Sequence, residues 1–150
     1  MAAKQYLDEA GLQTLWTKIK SYVASHSGGS NVSVNSTTGT AQTLTSGATW
    51  TKIDSSEVTL PEAGIYMLVG ANRFASNASG RRAIAWYNVT SSTRITRSIV
   101  ILPPVSGETT YIQTTYIAEV TGPTKYALQS YQNSGSSLST TSYVQVVRLA

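Results

Sequence analysis

Cysteine is absent from the 150 residues, histidine and phenylalanine occur once each, and only 12% of positions are charged. Without cysteine there is no thiol nucleophile, no disulfide and no cysteine-ligated zinc. The single histidine, His26, stands between a helical pattern and two glycines, where a solvated ring is expected rather than a catalytic base. No run approaches the roughly 18 apolar residues that a membrane-spanning helix needs. The opening MAAKQYLDEAG has none of the apolar stretch of a secretory signal, so assembly in the cytoplasm without membrane insertion is expected. On that route the sequons at Asn31, Asn35, Asn77 and Asn88 would meet no glycosylation machinery. Gly28 and Gly29 follow a helical pattern instead of opening one, the wrong order for a phosphate loop.

Acidic residues are equally sparse. Beyond residue 30 they are Asp54, Glu57, Glu62, Glu108 and Glu119. A glycan hydrolase needs two carboxyls roughly 5–10 Å apart across a cleft, and a calcium cage takes six or more oxygens. The list supplies neither in an obvious way, so no enzyme, no metal and no cofactor are expected. The net charge of +4 and pI near 9.4 are mildly basic. The cations are scattered apart from Arg81-Arg82 and the Arg94/Arg97 pair, with no basic stripe or nucleic-acid motif around them. Nucleic acid is therefore not the expected partner; an anionic cell-surface polymer fits the charge equally well.

What fills the chain instead is serine and threonine, at 42 positions. A hydroxyl-rich, β-branched surface suits strands. Residues 8–25 are the exception. Leu12, Leu15, Trp16, Ile19, Tyr22 and Val23 recur at three- and four-residue spacing, one apolar stripe of an amphipathic helix. Asp8 suits its N-cap, Lys18 and Lys20 its later turns, and Gly28-Gly29-Ser30 its stop. Alone in water so short a helix is marginal. The stripe buries either against its own β domain or against copies of itself, and the glycine break favours self-association. Residues 1–30 are thus read as a trimerising stalk and linker, and 31–150 as a head.

In the head the period changes to two. Strands are expected at 50–53, 57–60, 65–74, 82–89, 94–102, 110–120, 125–132 and 143–149, with weaker ones at 31–34 and 41–45. The Ser/Thr-rich pieces 33–45 and 134–142 read as loops or edge strands. Turn chemistry at Pro61, Gly64, Pro103-Pro104, Gly107, Gly122-Pro123 and Gly135 separates the strands. About ten antiparallel strands with turns every dozen residues indicate an all-β jelly-roll sandwich carrying one N-terminal amphipathic helix. Of the aromatics, Trp86, Tyr87, Tyr126 and Tyr131 are candidates for stacking on sugar rings. Trp86 and Tyr87 face opposite ways, so at least one belongs to the core or an interface.

Two stretches resemble known families. YLDEAGLQTLWTKIKSYV, with Leu7-Asp8, Gly11-Leu12, Leu15-Trp16 and Lys18-Ile19-Lys20, resembles the N-terminal segment of tail-fibre and related appendage proteins of phages and prophages of Gram-positive bacteria. VTLPEAGIYMLVGANRF, with Pro61, Gly64 and Tyr66, resembles the signature strand pair of the complement/tumour-necrosis-factor-like jelly roll, and the closing SYVQVVRLA resembles that family's last strand. The resemblance implies a homotrimer around a three-fold axis lined with aromatic and aliphatic side chains. It further implies a virion protein, with other virion proteins as neighbours, that attaches to a host surface receptor, a glycan or a protein. A purely structural fibre or head-decoration protein and a glycan hydrolase are the alternatives.

Counting strand reversals places the binding end. Connections 61–63, 90–93 and 121–123 are short and fall at one end. The longer 75–81, 103–108 and 133–141 fall at the other. Continued through the weaker strands, the count puts residue 31 and Ala150 at the short-turn end, with the helix attached there. Long loops on a rigid scaffold carry recognition, so Asn77, Arg81, Arg82, Glu108, Tyr131 and Asn133 are the receptor-contact candidates, the arginines suiting anionic groups.

Overall fold

The computed structural model describes Lys18, residues 35–47 and residues 49–149. The stripe of Leu12, Leu15, Trp16, Ile19, Tyr22 and Val23, and the strand expected at 31–34, lie outside the described residues. Among the described residues the chain forms β1 (Asn35–Thr38), β2 (Gln42–Leu44), β3 (Thr51–Lys52), β4 (Val58–Leu60), β5 (Gly64–Phe74), β6 (Arg82–Asn88), β7 (Thr93–Arg94), β8 (Val100–Leu102), β9 (Thr110–Val120), β10 (Thr124–Gln132) and β11 (Leu138–Arg148). One sheet runs β1–β11–β5–β9, with β2 also on β11. The other runs β3–β10–β6–β7, with β4 also on β10 and β8 also on β6. Every pairing is antiparallel.

The short strands are halves of longer ones. β1 and β2 lie end to end along β11, β3 and β4 along β10, and β7 and β8 along β6. The segments therefore act as two four-stranded layers, and the chain changes sheet between β2 and β3, β4 and β5, β5 and β6, β8 and β9, β9 and β10, and β10 and β11, while β6 and β7 form a hairpin within one sheet. This is an all-β jelly roll.

Two of the breaks use the same device. Ile53 donates its backbone N–H to the Leu128 carbonyl at 2.8 Å, and the chain then makes a 3-10 turn over Asp54–Ser56. Ser56 Oγ accepts the Leu128 N–H at 2.8 Å while donating to the Ile53 carbonyl at 2.6 Å. On β6, Ile95 donates to the Trp86 carbonyl at 2.8 Å before the turn Thr96–Ser98. There Ser98 Oγ accepts the Trp86 N–H at 2.8 Å and donates to the Ile95 carbonyl at 2.7 Å. In each case a buried hydroxyl stands where a strand carbonyl would, so the central strand keeps its hydrogen bonds while its neighbour kinks. The single strand expected over 94–102 is corrected accordingly: it is β7, a turn and β8.

The core is two apolar clusters with a polar layer between them. Leu68, Trp86, Ala118, Leu128 and Val144 belong to one; Leu44, Ile53, Phe74, Ile84 and Ile112 form the other. Along β5, Asn72 separates Leu68 from Phe74, and along β9, Thr114 separates Ala118 from Ile112. Asn72 Nδ2 donates to Ser130 Oγ, and Thr114 Oγ1 donates to the Ser98 carbonyl at 2.6 Å. This layer explains a second correction. The last strand begins at Leu138, five residues before the expected Tyr143, because Thr140 and Ser142 point into it and are fully buried. Residues 138–142 are thus an inner strand, held between β2 and β5.

Gly64 pairs with Val120 and Asn35 with Val146, so turns 61–63, 89–92 and 121–123 share one end with Asn35 and Leu149. Phe74 pairs with Thr110 and Thr140, and Gln132 with Arg82, so loops 75–81, 103–109 and 133–137 share the other.

Candidate functional site

The long-loop end is tied together by side chain to main chain bonds. The backbone N–H of Arg81 donates to Asn133 Oδ1 at 2.5 Å, and that of Asn133 to the Arg81 carbonyl at 3.3 Å. Gly80 sits where φ is +75°, with an added Cβ only 2.3 Å from the Asn133 carbonyl oxygen, so only glycine lets the two loops approach this closely. Asn77 caps its own turn through the Ser79 N–H at 2.8 Å and reaches Ser136 Oγ at 3.0 Å in the neighbouring loop.

Arg82 is corrected as a contact candidate. It is fully buried, and its guanidinium donates to the carbonyls of Ser79, Arg81 and Asn77 at 2.9, 3.2 and 3.1 Å. Burial, with no carboxylate beside it among the described residues, weighs against its charge. It braces the loop from within and offers nothing to a ligand. Its neighbour Arg81 is exposed and, among the described residues, makes no ion pair. Glu108 is exposed in the 103–109 loop, away from the cleft that Arg81 lines.

That cleft, about 260 Å³, is bordered by Trp50, Arg81, Ala83, Ile101, Tyr131 and Asn133 on the outer face of the β3–β10–β6–β8 sheet. The register makes a row across the sheet. Ser130 faces Thr51, so Tyr131 stands beside Trp50; Tyr131 faces Ala83, and Ala83 faces Ile101. The Trp50 and Tyr131 rings are 5.7 Å apart and tilted by 37°. Ile101 is 53% exposed, an unusual state for a side chain of its size on a strand. Arg94 starts on β7 at one edge and reaches toward the other, its Nε donating to Gln129 Oε1 at 3.1 Å and its guanidinium 4.5 Å from the Trp50 ring.

The structure thus brings Arg81, Tyr131 and Asn133 into one cleft and leaves Asn77 and Glu108 out of its lining. Sequence reasoning missed Trp50, Ile101 and Arg94. Of the expected stacking aromatics, Trp86 and Tyr126 are core, while Tyr87 and Tyr131 lie half-buried on the outer face. The missed signal was parity: Trp50 precedes β3 on the same outward phase as Lys52.

The opposite layer has a different outer face. Ile65, Met67, Val69 and Ala71 of β5 alternate outward between Tyr111 and Ile117 of β9 and Tyr143 and Val147 of β11. Met67 faces both Ile117 and Val147, and Tyr111 and Tyr143 lie 6.3 Å apart. Tyr111 is 54% and Ile117 49% exposed, and the charges on β5 and β9 are confined to Arg73 at one end and Glu119 at the other.

No family model and no curated protein matches the chain. Solved structures do match its fold. The VP2 subviral particle of infectious bursal disease virus aligns with 78% of this chain at TM-score 0.55 and 12% identity, and a structure of that virus's Gt strain gives the same score at 79% coverage. The chain spans about a third of the length of these viral chains. The globular domain of zebrafish complement 1qA aligns over 78% of this chain and 97% of its own at TM-score 0.54 and 8% identity. The protein is therefore an all-β jelly roll whose fold is shared by a protein of a viral particle and a complement globular domain.

Proposed function

We propose that this chain is a homotrimeric attachment protein of a phage or prophage particle, whose β head associates with its copies and binds a host surface receptor. The observation that carries the reading is the outer face of β9, β5 and β11. Met67, Ile117 and Val147 form an outward apolar row there that Val69, Ala71, Tyr143 and Tyr111 extend along the sheet between Thr115, Gln113 and Gln145, more apolar exposure than the scattered positions of a monomer. A second and third copy of the same head are the occupants that fit, since the face is nearly uncharged and runs the length of the sheet. The long-loop end, with Arg81, Tyr131 and Asn133 on a braced scaffold, is the receptor side. Binding rather than turnover is the role: Asp54 and Glu57 are engaged by Lys52, and Glu62 by Arg148.

Native mass spectrometry of the full chain at micromolar concentration tests the assembly. A trimer that Ile117→Asp converts to monomers is the expected result. A wild-type monomer, or a trimer indifferent to Ile117→Asp, overturns it. Adhesion of the fluorescent trimer to bacterial cells tests attachment, and a trimer that adheres to no strain leaves the structural-fibre alternative.

A further inference from the structure

We infer that the cleft beside Trp50 and Tyr131 is a subsite for a negatively charged sugar ring. The inference rests on the attachment reading and names the class of its ligand. Its first support is shape. In the row Trp50–Tyr131–Ala83–Ile101 three large side chains stand around one alanine, and Ala83, 1% exposed, lies at the bottom of the cleft they border. At about 260 Å³ the cleft falls below the roughly 300–1,000 Å³ of sites for drug-sized ligands and suits one ring of a longer chain.

The second support is the lining. Aromatic faces take the C–H faces of a pyranose, and a tilted Trp–Tyr pair makes a wall for such a ring. The Tyr131 hydroxyl has no hydrogen-bond partner among the described residues, and neither does the Arg81 guanidinium, so both are open to a ligand's oxygens.

The third support is charge. Arg81 lines the cleft, and Arg94 is held near it by Gln129 and the Trp50 ring. Among the described residues no carboxylate lines it: Asp54 and Glu57 sit with Lys52, Glu62 with Arg148, Glu108 in the 103–109 loop and Glu119 on the other sheet. Two uncompensated guanidiniums beside an aromatic wall favour an anionic group attached to the ring, carboxylate or phosphate. A single-stranded nucleic acid would need cations tracking its backbone along a groove, and two at one cleft do not provide that.

The test titrates the full chain with a hyaluronan hexasaccharide (carboxylate), mannose 6-phosphate (phosphate), cellohexaose (neutral) and an oligothymidylate, following heat or tryptophan fluorescence. One of the two anionic sugars is expected to bind at least about tenfold more tightly than cellohexaose, and which one does identifies the anionic group. Arg81→Gln should remove that discrimination. Ala83→Leu, which fills the floor, should abolish binding, with an unchanged circular dichroism spectrum and oligomeric state confirming the fold. Equal binding of the neutral sugar, no anionic binding at about 5 mM, or anionic binding untouched by Ala83→Leu overturns the inference. Oligothymidylate binding lost in Ala83→Leu reassigns the cleft to nucleic acid and overturns it too. Cell adhesion separates the two readings: adhesion that survives Ala83→Leu sinks the cleft but leaves attachment standing, whereas wild-type protein that never adheres sinks attachment itself.

Discussion

Gly70 shows how one residue can hold two sheets at their spacing. It points inward from β5, and a Cβ there would come 2.6 Å from Leu128 Cδ2 and 2.9 Å from Trp86 Cζ2. Trp86 is fully buried, so its indole has nowhere to retreat. Gly70→Ala should therefore lower stability by about 1–3 kcal/mol, the usual cost of overpacking. Urea denaturation checks this, and an unchanged midpoint would mean the sheets separate freely. A second residue couples the fold to pH. Glu57 bridges Lys52 and Lys125, each at 3.1 Å, and these hydrogen bonds hold its carboxyl below the usual value. A lowered folded pKa gives stability that is present above the unfolded value and lost as pH falls through the folded one. Melting of wild type and Glu57→Gln should thus differ at neutral pH and converge as the carboxylate is protonated, by a small amount because the bridge is partly exposed. Equal melting at every pH would show the bridge is idle. At this scale the sequence was least legible. Arg81 and Arg82 are identical in type and adjacent, yet one lines the cleft and the other is buried under three carbonyls; only the strand's phase distinguishes them.

Periodicity located β5, β6, β9 and β10 to within a residue or two, because long strands must alternate against a core. It failed where alternation is not apolar against polar. Residues 138–142 read as a loop or an edge strand since, after Leu138, their inward positions are Thr140 and Ser142, which face the polar layer around Asn72. Residues 94–102 read as one strand since the turn Thr96–Ser98 carries no glycine or proline. The repeated spacing Ile53-x-x-Ser56 and Ile95-x-x-Ser98 was the available signal. Its energetic meaning is testable. Ser98→Ala leaves the buried Trp86 N–H without its acceptor, and Ser56→Ala does the same to Leu128. Each should cost about 1–3 kcal/mol. The Trp86 and Leu128 amides should also exchange faster than their strand neighbours in hydrogen-exchange measurements. Protection equal to wild type would mean another group, such as water, replaces the hydroxyl.

The end of the molecule that carries the long loops was legible from reversals alone, partly through a cancellation. The count assumed reversals between the two earliest strands and between 50–53 and 57–60. In the structure β1 continues into β2, and β3 into β4, in one direction, and the two errors offset each other. The two faces were not legible, since deciding which layer a strand joins depends on pairing across the whole chain. Their arrangement has a consequence for binding. In a two-layer sandwich the outer faces point away from each other, so heads that meet through β9, β5 and β11 turn their Trp50–Tyr131 clefts outward. Because Arg81 and Asn133 place each cleft at the long-loop end, that end of such an assembly carries several equivalent weak sites for one surface. Linked sites raise avidity by about 10²–10⁴ over a single one without any new contact. Ile117→Asp lies on the opposite face from the cleft, so it should leave the affinity for a soluble anionic oligosaccharide unchanged. The same substitution should weaken adhesion to glycan-coated beads or cells by a factor in that range. Surface plasmon resonance at low and high ligand density measures both quantities on one chip. A variant that loses soluble-ligand affinity would place the binding site at the subunit contact, and one that keeps full adhesion would show that single heads suffice.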